Sequence, residues 1–209
     1  EKVMHSHRIS RYAMDVKNLL DHLDVEDVTV LGWSMGAAIL WSYIELFGKH
    51  RISKLVCVDQ APLQYTGPDW VWGQNGCYDV EMFIRTCYDI KYAPRESAEG
   101  LATACLHHTP SDEEVKFIAD EISKCPPYVR IEVMRDHTNL DWRDFLPFID
   151  MPTLVCVARH SNVFDWQGSA YVGEVIPNAK TVFFEESGHM LFWEEPDKFN
   201  QTLLEFVEA

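Results

Sequence analysis

The chain has 209 residues, with 33 Asp and Glu against 18 Lys and Arg and a formal net charge of −15. At 47% apolar and 24% charged residues, this is the composition of a globular protein of one domain, at most two, and not of a disordered tail. The acidic excess leaves no basic stripe for phosphates, so nucleic acid and anionic membrane are poor partners, while small neutral or cationic ligands stay open.

From Arg8 to Leu23, apolar residues at Ile9, Tyr12, Ala13, Val16, Leu19, Leu20 and Leu23 follow helical spacing and predict an amphipathic helix with one buried face. Val28 to Leu31 is a short β-branched run that stops at Gly32, and Met35 to Phe47 is apolar nearly all round before Gly48. That pattern predicts strand, sharp turn and buried helix. A second apolar run, Lys54 to Val58, ends at Asp59. Continuous runs separated by helices point to parallel strands covered on both faces, hence an α/β fold. From Ala61 to about Pro147 no strand-like run occurs, and aromatic residues dominate, among them Trp70, Trp72, Tyr78, Phe83, Tyr88 and Tyr92. Strand and helix patterns resume at Pro152 to Val157, Trp166 to Ile176, Lys180 to Phe184 and after Pro196. The organisation expected is a core of residues 1–60 and 148–209 interrupted by a helical insertion of residues 61–147. No apolar run approaches the roughly 18 to 20 residues of a membrane span, and no leader pattern opens the chain, so a soluble, cytoplasmic protein is expected.

Cys57, Cys77, Cys87, Cys105, Cys125 and Cys156 form no CxxC pair, and two of them lie within strand-like runs. Reduced thiols are expected rather than disulfides, and no zinc or other metal site.

Gly32-Trp33-Ser34-Met35-Gly36 matches G-x-S-x-G between a strand and a helix, where that pattern has physical meaning. The turn strains the serine backbone and lifts Ser34 at the carboxyl end of the sheet, and side chains at the two glycines are expected to collide with their neighbours. The first turn of the helix leaves N–H groups unpaired, so the Met35 N–H is a candidate oxyanion donor. A serine hydroxyl requires a base. His189 follows the last strand in Glu185-Glu186-Ser187-Gly188-His189 and is the candidate, with His160 second. Trp33, Trp70 and Trp72 are the expected walls of an apolar substrate pocket.

These residues resemble the α/β-hydrolase superfamily over essentially the whole chain. Gly32 to Ala38 looks like the nucleophile elbow, Pro152 to Ala158 like the strand that carries the acid, and Gly188-His189 with Glu194-Glu195-Pro196 like the C-terminal histidine loop. Within it, the resemblance is to the cofactor-free haloperoxidase, arylesterase and enol-lactonase branch. The resemblance implies a mostly parallel sheet flanked by helices, a helical cap, a Ser-His-acid hydrolase and no cofactor.

The usual acid turn reads Ala158-Arg159-His160-Ser161-Asn162 here, which puts Ser161 in the acid's place, and a serine cannot balance an imidazolium. Asp59, at the end of the neighbouring strand, is the favoured substitute; Asp165, Asp141, Asp144 or no carboxylate at all are the alternatives. The leading expectation is cleavage of a small carboxylic ester or lactone through an acyl-enzyme. The competing readings are perhydrolysis with the same triad and a non-catalytic ligand-binding member of the fold. A homo-oligomer is left open. Family members place strands and a second oxyanion donor ahead of the helix that begins near Arg8. The expectation is therefore that the gene product extends upstream of Glu1, that the Val28 to Leu31 strand is otherwise an unpaired apolar edge, and that the chain alone is insoluble or inactive.

Overall fold

The computed structural model describes residues 5–76 and 78–209. Helix α1 (Ile9–Leu23) leads into strand β1 (Val28–Trp33), helix α2 (Met35–Phe47) and strand β2 (Ile52–Val58). Four helices follow without an intervening strand: α3 (Val80–Tyr92), α4 (Pro94–Ala104), α5 (Asp112–Ser123) and α6 (Pro127–Thr138). The chain then completes the core with β3 (Thr153–Ala158), α7 (Trp166–Val175), β4 (Ala179–Phe184), a single turn α8 (Leu191–Glu194) and α9 (Pro196–Glu208).

The four strands form one parallel sheet in the order β1-β2-β3-β4. Val56, Val58, Leu154, Cys156 and Phe184 are buried toward one side with Leu191 and Phe199. Leu55, Cys57, Val155 and Val157 are buried toward the other with residues of α1, α2 and α7. Covered faces of this kind explain why β2 and β3 read as unbroken apolar runs. β1 pairs only with β2 among the described residues, and its Leu31 is 43% exposed.

The apolar face of α1 is narrower than its spacing predicts. Ile9, Ala13 and Leu20 are buried against α2, whereas Leu19 and Leu23 are more than half exposed. No helix of the described residues is long and apolar enough to cross a membrane. Cys57, Cys87, Cys105, Cys125 and Cys156 are free thiols, and Cys77 lies outside the described residues.

A separate apolar cluster joins the α3–α6 segment to the core: Ala98, Ala102, Cys105 and Leu106 pack with Ala119, Phe164 and Met190. This contact lays α4 and α5 over the loops that follow β3 and β4, at the carboxyl edge of the sheet.

Candidate active site

Ser34 sits between β1 and α2 with φ 53° and ψ −129°, a positive-φ conformation that an L-residue holds only when its surroundings impose it. Two bonds impose it here: the Ser34 N–H donates to the Val58 carbonyl at 2.9 Å, and the Ala37 N–H donates to the Ser34 carbonyl at 2.8 Å. Gly32 is required for the close approach, since a Cβ there would lie 2.5 Å from the Gly36 carbonyl and the Ala37 nitrogen. Gly36 differs from expectation, because a Cβ at that position meets nothing within 4 Å. Only the first glycine of the pattern is sterically obligatory. Met35 is the first residue of α2, and its N–H has no carbonyl partner among the described residues.

Strand register brings the next two groups together. Trp33 is paired with Val58, so Ser34 and Asp59 are each one step beyond that pair on adjacent strands. Val58 is paired with Cys156, and the Asp59 N–H donates to the Cys156 carbonyl at 2.9 Å. His189 reaches back from the loop after β4, and its Nδ1 lies 2.8 Å from Asp59 Oδ2. Asp59 is 0% exposed and His189 3%. The other Asp59 oxygen accepts from the Ser169 hydroxyl at 3.0 Å and from the Ala158 N–H at 3.4 Å. A buried carboxylate with its lone pairs so occupied is fixed in orientation and directs the imidazole's remaining nitrogen away from itself. The Ser34 Oγ makes no hydrogen bond among the described residues.

The loop carrying His189 is held from three sides. Trp33 donates its indole N–H to the His189 carbonyl at 2.9 Å and packs its ring 5.0 Å from the imidazole. Glu194, whose side chain is 4% exposed, accepts from the Gly188 N–H at 2.7 Å through one oxygen. Its other oxygen accepts from the His107 N–H at 2.8 Å and the His108 N–H at 3.0 Å, and bonds the His108 ring. That carboxylate holds the His108 imidazole above its ordinary pKa. Glu195 accepts from Ser187 Oγ at 2.5 Å. Glu194 therefore ties the histidine loop to the end of α4, and a Cβ at Gly188 would lie 2.7 Å from the His107 nitrogen.

The other candidate acids lie elsewhere. Asp165 is the residue before α7 and makes no side-chain cap bond. Ser161 Oγ accepts from the Val163 and Phe164 N–H groups, closing a local turn. Asp141 is held by Arg143, and Asp144 makes no hydrogen bond or ion pair among the described residues. His160 stacks on His107 at 4.0 Å.

The three tryptophans expected as pocket walls are placed as follows. Trp70 is 2% exposed, donates its indole N–H to the Leu63 and Trp72 carbonyls, and packs edge-on against Trp72 and Tyr171. Trp33, Trp70 and Trp72 are not among the residues lining the large cavity, and Trp33 packs against His189. That cavity, about 710 Å³, reaches from Met35 to α3, α4 and α6. Among the described residues no group of three or more His, Cys, Asp or Glu is placed to hold a metal ion. Sequence reasoning missed Ser169, and it set Glu194 in the histidine loop by resemblance without a partner for its carboxylate. Ser169 sits mid-helix in α7, with no local pattern to mark it.

The model of the alpha/beta hydrolase fold family matches residues 4–79 and 121–196. The chain belongs to the α/β hydrolases. The stretch between the two matched segments, residues 80–120, covers α3, α4 and most of α5. Among relatives of this hydrolase, the AB hydrolase superfamily protein YisY of Bacillus subtilis is 25% identical over 94% of this chain and 72% of its own length. An esterase from Exiguobacterium antarcticum superimposes with a TM-score of 0.93 at 22% identity, covering 100% of this chain and 77% of its own. A bromoperoxidase from Bacillus anthracis does so with a TM-score of 0.91 at 20% identity, again over 100% of this chain and 77% of its own.

Proposed function

We infer that this hydrolase cleaves a small carboxylic ester or lactone through an acyl-enzyme, with Ser34 as nucleophile, His189 as base and Asp59 as the acid of the triad. The observation that carries the reading is the buried Asp59–His189 pair at 2.8 Å, one strand away from the strained elbow that presents Ser34. Ser34 Oγ attacks the carbonyl carbon while His189 Nε2 takes its proton. The tetrahedral oxyanion lies against the Met35 N–H, which is free at the start of α2 and aided by the positive end of that helix. The imidazolium then gives its proton to the departing alcohol, leaving the acyl group on Ser34. Water, deprotonated by His189, attacks the acyl carbon, and the imidazolium returns that proton to Ser34 Oγ as the acyl–oxygen bond breaks and the acid leaves. Asp59 stays ionised throughout, holding the tautomer with Nδ1–H and balancing the positive ring. A small-molecule ester partner is also what the esterase with the matching fold suggests.

A fluorophosphonate probe tests this directly. The expected result is modification confined to Ser34, abolished by Ser34→Ala. A folded chain that fails to react would favour a ligand-binding protein built on the hydrolase fold.

A further inference from the structure

One charged group on the wall of the large cavity has no part in the mechanism above. Arg130, in the first turn of α6, lines the cavity that begins at Met35, next to the nucleophile. Arg11, Arg51, Arg85, Arg95, Arg143 and Arg159 each hold a carboxylate. Among the described residues, Arg8, Arg130 and Arg135 hold none, and of these only Arg130 is withdrawn from the surface.

Its isolation is informative in a chain with 33 acidic residues, because a guanidinium drawn out of water without a counter-charge is costly. Burial pushes its pKa below the ordinary value, yet arginine remains charged at any physiological pH. A second unsatisfied group shares the wall: the Gln74 side-chain Oε1 is buried with no hydrogen-bond partner. Asp89 and Glu96 also line the cavity, but both are exposed and their charge is screened by solvent. The adjoining smaller cavity, about 360 Å³, places Arg95 beside Arg130 as well, and Arg95 is already neutralised by Glu99 and Asp120.

We propose that the cavity takes an ester bearing a carboxylate remote from the scissile bond, such as the monoester of a dicarboxylic acid, and that Arg130 pairs with that carboxylate. The guanidinium fork matches the two carboxylate oxygens, and a volume of about 710 Å³ is ample for such a molecule. The overall charge does not favour an anion, and the lining carries Asp89 and Glu96 as well; the preference proposed here rests on Arg130 being the one charged group of the three withdrawn from solvent. The proposal rests on the hydrolase reading of Ser34 and His189, so its test separates the two.

The full chain is assayed with monomethyl adipate and with methyl hexanoate, which lacks the second carboxylate. The expected wild-type kcat/KM is at least about tenfold higher for the monoester. Arg130→Met lowers the ratio of the two values about 10- to 100-fold, chiefly through KM, and Arg130→Lys retains part of the preference. The wild-type preference also shrinks at high salt. A wild-type preference for methyl hexanoate, or a ratio unchanged in Arg130→Met, overturns the proposal. Fluorophosphonate labelling of Ser34 reports on the hydrolase reading separately. If neither ester is turned over, calorimetric binding of monomethyl adipate to Ser34→Ala decides. Binding weakened tenfold or more by adding Arg130→Met upholds the carboxylate contact, whereas undetectable or unchanged binding overturns it.

Discussion

The carboxyl edge of the sheet and the α3–α6 segment are built on opposite principles. At the sheet edge, Asp59 and His189 are buried, and Ser34 and Asp59 are placed by consecutive backbone hydrogen bonds between parallel strands. In the α3–α6 segment, Val80, Ile84, Tyr88 and Tyr92 stand exposed along one face of α3, and the cavity wall mixes apolar, amide and charged side chains. The family match covers the first region and leaves residues 80–120 of the second outside it. On the proposed function, strand register would supply the reacting groups and the helical segment the side chains that choose among substrates.

This contrast is broken most severely by changes at the sheet edge. Ser34→Ala is expected to reduce ester turnover by about 10⁴-fold or more, measured as kcat on a short acyl ester, since removing the nucleophile leaves only binding and the oxyanion donor. Gly32→Ala comes next. Its Cβ meets backbone atoms at 2.5 Å that cannot move without unwinding the elbow, and urea unfolding should show a loss of about 3 kcal/mol or more. A similar loss measured at Gly36→Ala would contradict the asymmetry between the two glycines.

A smaller effect separates the regions by pH. His137, in α6, is fully buried, and desolvation pushes its imidazole down to about 4. Between that value and the unfolded chain's value of about 6.5 the unfolded state binds more protons. Stability contributed by the neutral ring is therefore complete above about pH 6.5 and is lost as pH falls toward 4, by about 3 kcal/mol. His137→Gln should flatten the slope of unfolding free energy over that window, and an unchanged slope would show that this ring is not its source. The smallest effect expected is on the thiols. Burial pushes Cys57, Cys105 and Cys156 up to about 12, so iodoacetamide at neutral pH should spare all three in the folded chain, as read by peptide mass spectrometry.

Much of this was legible in the sequence, for reasons that differ by residue. Strand, elbow and helix around Ser34 were readable because β-branched runs, the G-x-S-x-G spacing and the end at Gly48 are local signals. The covered faces of β2 and β3 announced a parallel sheet for the same reason. Asp59 was favoured over Asp165 and Ser161 because it ends a strand, and the structure brings it to His189. What stayed hidden depends on contacts distant in sequence. Ser169 meets Asp59 across 110 positions, and Glu194 meets His107 across 87. Aromatic density in the sequence does not distinguish a pocket wall from packing between elements, and Trp70 packs against Trp72 and Tyr171.

The central claim is that Asp59 orients His189 for attack by Ser34. It is tested most directly by the kcat/KM of Asp59→Asn on a short acyl ester, with Asp165→Asn measured in parallel. The account predicts a loss of about 10⁴-fold in Asp59→Asn, on the scale of a triad acid, and near wild-type turnover in Asp165→Asn. Full activity in Asp59→Asn, in a chain that remains folded, would contradict it.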